Sequence, residues 1–254
     1  MNILKNMPSK LVAFADLDDT LMQTRRKRDV PGSVMAGVGS DGAPLSFACP
    51  KQQKLLSCLL SQGIVIPTTA RNSESFKRVR LPFSSFAILN FGATLLNPDG
   101  TLNEPWHAEM AAHARAHAPV LAEQYELARE FSSAHQLDLN LRVCSDFGQA
   151  WYVLAKHKGH NASALDTLHR QWLEHAPAGY IVRRNDNNLT LSPGFFDKRH
   201  AVRQVVAQFF DPAKDVFLGL GDSLSDFDFM SDCDFLVVPS KSQLHKAYIG
   251  AVGR

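Results

Sequence analysis

The sequence predicts an α/β fold: a doubly wound, mostly parallel sheet interrupted by an inserted α+β segment. Short apolar runs beginning near residues 11, 64, 86, 215 and 235 alternate with helical patterns, as strands of a parallel sheet do. Between the third and fourth runs the order changes to helix, strand, strand, helix, strand, strand, which reads as a separate small domain. The strand ends are polar, and ligands of open parallel sheets bind just beyond strand carboxyl ends.

The first run, Leu11-Val12-Ala13-Phe14-Ala15, stops at Asp16-Leu17-Asp18-Asp19-Thr20. It reads as a strand buried on both faces. Clustered carboxylates repel, so a counter-charge must hold them; the plain alternative is a solvated acidic turn. Residues 25 to 48 read as a loop or hairpin flap over the strand end, with Pro44-Leu45-Ser46-Phe47 as a returning strand. The basic stretch Arg25-Arg26-Lys27-Arg28 admits a solvated face first and a contribution to an anionic substrate second; no aromatic interleaving supports nucleic acid.

Pro50 to Leu60 reads as a helix with Pro in its first turn and Gly63 at its end. Strand Ile64-Val65-Ile66-Pro67 runs into Thr68-Thr69-Ala70-Arg71 and the helix start Asn72-Ser73. A hydroxyl and free N–H groups there suit an anion; simple capping by Asn72 or Ser73 is the alternative. Phe86-Ala87-Ile88-Leu89 is the third strand, followed by Asn90-Phe91-Gly92-Ala93 and a turn at Asn97-Pro98-Asp99-Gly100.

His107 to Gln136 is Ala-rich and helical, with Pro119 expected to kink or split it. Strands at 139–143 and 150–154, a helix at 161–175 capped by Asn161, and a hairpin through Asn185-Asp186-Asn187-Asn188 follow. His113 and His117 stand at i, i+4 near Glu109 and Glu123; a solvated helix face outranks a metal face. Trp106, Trp151, Arg183 and Arg184 are candidates for substrate contact, against buried-aromatic and solvated-arginine readings. Asp197-Lys198 opens a helix, 215–221 is a buried strand, and Asp222-Ser223-Leu224-Ser225-Asp226 is a second acidic turn before helix 224–230. The expected domains are 1–97 and 192–254 for the core and 98–191 for the insertion.

The chain has 254 residues, 45% of them hydrophobic, and a net charge of +2, which makes no case for a nucleic-acid or membrane partner. No apolar run is long enough to span a bilayer. Cys49, Cys58, Cys144 and Cys233 form no CxxC pair, and Met1 to Lys5 lacks a signal-peptide core; both point to the cytoplasm.

Asp16/Asp18, Thr69, Lys198 and Asp222/Asp226 would converge at one sheet edge. Carboxylates there would hold Mg²⁺, with Thr69 and Lys198 orienting phosphoryl oxygens. One aspartate could attack phosphorus, and Asp18 could move the proton. Asp16-Leu17-Asp18-Asp19-Thr20, Thr69, Lys198 and Gly221-Asp222-Ser223-Leu224-Ser225-Asp226 resemble the four motifs of the haloacid dehalogenase superfamily of phosphohydrolases. Motif order and the place of the insertion resemble its Cof-type, sucrose-phosphate-phosphatase-like branch with a C2-type cap on a Rossmann-like core. The resemblance implies Asp16 as nucleophile and metal ligand, and Asp18 as acid/base giving its backbone carbonyl to Mg²⁺. It implies Thr69 and Lys198 as phosphate binders, and Asp222 and Asp226 as metal ligands. Asp19 and Ala70 replace the usual glycines, and Ser225 the usual asparagine. The expected substrate is a small, sugar-like phosphomonoester. A phosphomutase or a non-catalytic phosphate-binding module is the alternative, and the oligomeric state is not legible.

Overall fold

A computed structural model describes residues 9–27, 30–157, 159 and 161–252. The expectations placed on Met1 to Lys5 and on Arg28 fall outside the described residues. The chain divides into two compact units: residues up to Asn103 together with those from Asp197 on, and Glu104–Phe196 between them.

In the first unit β1 is Leu11–Ala15, whose Val12, Ala13, Phe14 and Ala15 are wholly buried, as the apolar run requires. Then β2 (Gln23–Thr24), β3 (Val34–Val38) and β4 (Pro44–Ala48) form an antiparallel flap in the order β2-β4-β3. Its β3 is fixed to a later segment: Val38 N–H donates to Arg78 O at 3.1 Å and Arg80 N–H to Ala36 O at 2.8 Å. Helix α1 (Pro50–Gln62) opens on a capping box, with Gln52 Oε1 accepting Cys49 N–H at 2.9 Å. It is followed by β5 (Ile64–Pro67), α2 (Ser73–Phe76), β6 (Ala87–Leu89) and β7 (Thr94–Leu96).

The second unit comprises α3 (Glu104–Ala134), β8 (Leu139–Asp146), β9 (Gln149–His157), α4 (Ala162–His175), β10 (Tyr180–Asn185) and β11 (Asn188–Pro193). Its antiparallel sheet has the order β10-β11-β9-β8. Leu121, Leu165, Leu168 and Trp172 from the helices pack with Val153, Leu189 and Leu191 of the sheet. The expected split at Pro119 does not occur: one helix runs through it. Met110 and Ala114 before it and Leu121 and Ala128 after it are buried in one continuing stripe, and this burial outweighs a single lost backbone bond.

The chain returns to the first unit with α5 (Lys198–Phe209), β12 (Val216–Leu220), α6 (Leu224–Met230), β13 (Phe235–Val237) and α7 (Gln243–Val252). The main sheet is parallel, in the order β13-β12-β1-β5. The next strand after β1 lies on one side of it and the late strands on the other, so β1 sits at the switch point where open sheets bind ligands. No described helix is long and apolar enough to cross a membrane.

A surface clamp ties α5 to the end of α6. Arg199 and Arg203 both fork onto Asp232, with contacts of 2.6 to 3.1 Å. Hydrogen bonds from Arg199, outweighing the smaller burial penalty, hold the Asp232 carboxyl down at about 2. A depressed carboxylate stabilises above its unfolded value, near 3.8, and loses that contribution as pH falls through about 2. Asp232→Asn should therefore destabilise the chain by about 1 kcal/mol at neutral pH. Urea titrations at a series of pH values should show the difference closing between pH 4 and pH 2.

Candidate active site

The strand ends place the site. Asp16 is the first residue beyond β1, and its N–H donates to Leu220 O of β12 at 2.9 Å. Thr68 N–H, just past β5, donates to Ala15 O at 2.8 Å. Three neighbouring strands therefore release Asp16, Thr69 and Gly221-Asp222 side by side.

Lys198 comes from the first turn of α5, whose start is fixed twice. Asp197 caps it by accepting His200 N–H at 2.7 Å. The turn Asn90-Phe91-Gly92 packs against it with three consecutive left-handed residues, at φ of 51, 57 and 104°. A Cβ on Gly92 would stand 2.0 Å from Asp197 O, so only glycine fits there.

The Lys198 amine, 4% exposed, donates to Asp16 Oδ1 at 2.7 Å and to Asp226 Oδ1 at 2.6 Å. The second oxygen of Asp226 accepts Ser223 N–H at 3.0 Å and Ser223 Oγ at 2.7 Å, forming the capping box of α6. Gly221 makes room for it, since a Cβ there would lie 2.4 Å from Asp226 Cβ. Asp16, Asp222 and Asp226, all buried, offer ligand oxygens within 4.8 Å of one another.

Burial raises the Asp16 carboxyl well above its usual range, with Asp226, Asp222 and Asp18 adding to Lys198's failure to offset it. Burial, then Asp226 and Asp19, push Asp222 up to about 7. Burial opposes the charge on Lys198, but Asp16 and Asp226 outweigh it and hold the amine protonated. With all three carboxyl groups ionised, one buried ammonium would leave an excess of two negative charges. Hard oxygen donors with that excess fit a Mg²⁺ ion, which keeps several water ligands of its own.

Asp18 stands apart from this cluster. Its half-exposed carboxylate is gripped by Arg71 through Nε and Nη2, each at 2.7 Å, while Arg71 Nη1 reaches Ser75 O at 3.3 Å. Sequence reasoning did not single out Arg71. Its place directly after the polar end of β5 was the available signal. Burial disfavours its charge, and Asp18 more than restores it.

Thr69 is buried beside β1, its Oγ1 accepting Arg71 N–H at 3.2 Å. Capping after it falls to Asn72, which accepts Ser75 N–H at 3.0 Å. The helix expected there is the single turn α2, too short to offer an anion much of a dipole. Ser225 Oγ contacts Ser223 Oγ at 2.8 Å.

In the second unit, His113 and His117 both stack on Phe195 at 5.2 Å, and His117 Nδ1 meets Tyr180 OH at 3.0 Å. Their spacing serves aromatic packing. Trp106 and Trp151 are buried core residues. Arg183 donates to Ser192 Oγ at 2.6 Å, and Arg184 lies 3.7 Å from Asp166 of α4.

No family model and no curated protein matches the sequence. Solved structures do. The sucrose-phosphatase of Synechocystis sp. PCC6803, solved with sucrose and phosphate, aligns with a TM-score of 0.52 and 16% identity over 96% of this chain and 97% of its own. A trehalose-6-phosphate phosphatase related protein aligns at 0.52 and 18% identity, over 95% and 98%. The C-terminal domain of the C. albicans trehalose-6-phosphate phosphatase aligns at 0.55 and 12% identity, over 97% and 78%. The chain shares the fold of these three structures along nearly its whole length. At these identities the likeness is one of fold.

The raised Asp222 carboxyl gives a test without any substrate. A carboxyl lifted from 3.8 to about 7 holds its proton more tightly folded than unfolded. Its contribution to stability is therefore full below pH 4 and lost as pH rises through 7. Asp222→Asn should raise the Tm of the metal-free chain at pH 8 and leave it little changed at pH 4. Mg²⁺ should raise the wild-type Tm, and the same variant should lose most of that gain.

Proposed function

We propose that the chain is a Mg²⁺-dependent phosphatase that hydrolyses a small, sugar-like phosphomonoester through a phosphoaspartate on Asp16. The observation that carries this reading is the buried Lys198 amine joining Asp16, at the end of β1, to Asp226 beside Asp222. A nucleophilic carboxylate, an anchored cation and spare carboxylates for a metal are what phosphoryl transfer needs in one place.

Asp16, Asp222 and Asp226, with the Asp18 carbonyl, would hold the ion. When bound, Mg²⁺ supplies positive charge that offsets the repulsion between carboxylates and phosphoryl oxygens. The free Asp16 oxygen attacks phosphorus, and the ester P–O bond breaks with its electron pair on the leaving oxygen. Asp18, released from Arg71 and protonated, gives that oxygen its proton. It then takes a proton from water, whose oxygen attacks phosphorus and frees Asp16 with release of phosphate. Thr69 Oγ1 and Lys198 orient the phosphoryl oxygens. The inserted unit, Glu104–Phe196, is read as the cap that selects the alcohol. The names of the aligned structures, sucrose- and trehalose-phosphate phosphatases, favour a sugar-like ester.

Purified protein with Mg²⁺ should release phosphate from an aryl phosphate and, faster, from members of a sugar-phosphate panel. Chelation should stop it, and Asp16→Asn should lower kcat by about 10³-fold or more. Turnover unaffected by Asp16→Asn would overturn the assignment. Isomerisation of a hexose phosphate without phosphate release would point to a mutase instead.

A further inference from the structure

The Asp226 carboxylate is fixed at both of its oxygens. Lys198 donates to Oδ1 at 2.6 Å, and Ser223 donates to Oδ2 twice, through N–H at 3.0 Å and Oγ at 2.7 Å. Asp226 is 1% exposed and Ser223 3%, so water has little access to these bonds. Ser223 is the N-cap of α6, and capping by itself is a structural role. Two observations go beyond it.

The first is the direction of the Ser223 hydroxyl. A cap needs an oxygen that accepts a backbone N–H, and a capping box adds a return bond from the cap's own N–H to the side chain three residues on. Ser223 supplies that return bond and, in addition, donates its hydroxyl proton to the same carboxylate. The extra bond does nothing for the helix backbone. With Lys198 on one oxygen and Ser223 on the other, it fixes where both oxygens of Asp226 lie.

The second is the supply of protons. Ser225 Oγ stands 2.8 Å from Ser223 Oγ. A hydroxyl has one proton to give, and a carboxylate only accepts. Ser223 spends its proton on Asp226, so Ser225 is the donor in the contact between the two serines. The result is a directed chain, Ser225 to Ser223 to Asp226, whose members polarise one another. The acidic turn thus orients one of its own carboxylates, and that carboxylate belongs to the cluster with Asp16 and Asp222. Mg²⁺ demands nearly ideal ligand directions. Partners that orient a ligating side chain are worth about 10- to 100-fold in metal affinity.

Resting on the phosphatase reading and its metal site, we propose that Ser223, held by Ser225, is a positioning residue for Mg²⁺ binding: it keeps the Asp226 carboxylate in the orientation the ion requires.

The test is a calorimetric titration of the full chain with Mg²⁺ alone, without substrate. Ser223→Ala should weaken Mg²⁺ binding about tenfold. Ser223→Thr, which keeps the hydroxyl, should recover most of the loss. Ser225→Ala, at a half-buried position one bond farther from the carboxylate, should weaken binding about threefold, and it carries the test if Ser223→Ala does not fold. A role confined to the helix cap would lower the Tm of Ser223→Ala and leave the Mg²⁺ dissociation constant where it was. Wild-type affinity in every alanine variant that folds overturns this inference. The phosphatase reading then stands if the wild type hydrolyses an aryl phosphate with Mg²⁺. A wild type that takes up no Mg²⁺ overturns both.

Discussion

The first unit is organised around one buried ammonium. Lys198 reaches Asp16, 182 residues earlier, and Asp226, 28 residues later, with two short hydrogen bonds. An unpaired amine at 4% exposure would be expensive, and so would Asp16 or Asp226 without it. The charges are tolerable only together. That requirement fixes where α5 must start, how far β1 must run, and how α6 must turn. It explains why backbone features around the site are so constrained: a left-handed turn at 90–92 to seat Asp197, and two positions, Gly92 and Gly221, where no Cβ fits.

The second carboxylate pattern follows a different rule. Asp16, Asp222 and Asp226 are buried and face one another, an arrangement whose repulsion Lys198 offsets in part and which holds Asp16 and Asp222 above the usual carboxyl range. Asp18, two residues after the first of them, is half exposed and already neutralised by Arg71. Two aspartates on one short loop thus meet different surroundings, one raised by burial and the other held by a guanidinium fork. Environment, more than residue type, sets these two carboxyl groups apart.

Much of this was legible in the sequence. Strands that are apolar on both faces announce themselves, and their last residues are countable, so Asp16, Thr69 and Asp222 could be placed at strand ends with no structure. Lys198 could be placed at the opening of a helix, and the resemblance singled it out. Pairings made by long side chains across the fold were not legible. Nothing at position 18 names position 71 as its partner, and nothing at 19 names 27, because those contacts depend on where separate loops come to rest. The chain divides after Asn103 and Phe196, where the sequence reading places the boundaries after 97 and 191. There, local bridges such as Leu96 with Leu102 extend the first unit beyond its last regular strand. Pro119 misled in the opposite sense: a local rule against helix yielded to a stripe of burial that runs past it.

The double engagement of Asp226 separates it from its neighbours. One of its oxygens belongs to the ion pair, and the other closes the first turn of α6. Removing that side chain would unpick a helix as well as a charge, whereas Asp16 makes no comparable contribution to the start of a helix. A folded variant that lacks one carboxylate of the cluster is therefore best built at position 16 and never at 226.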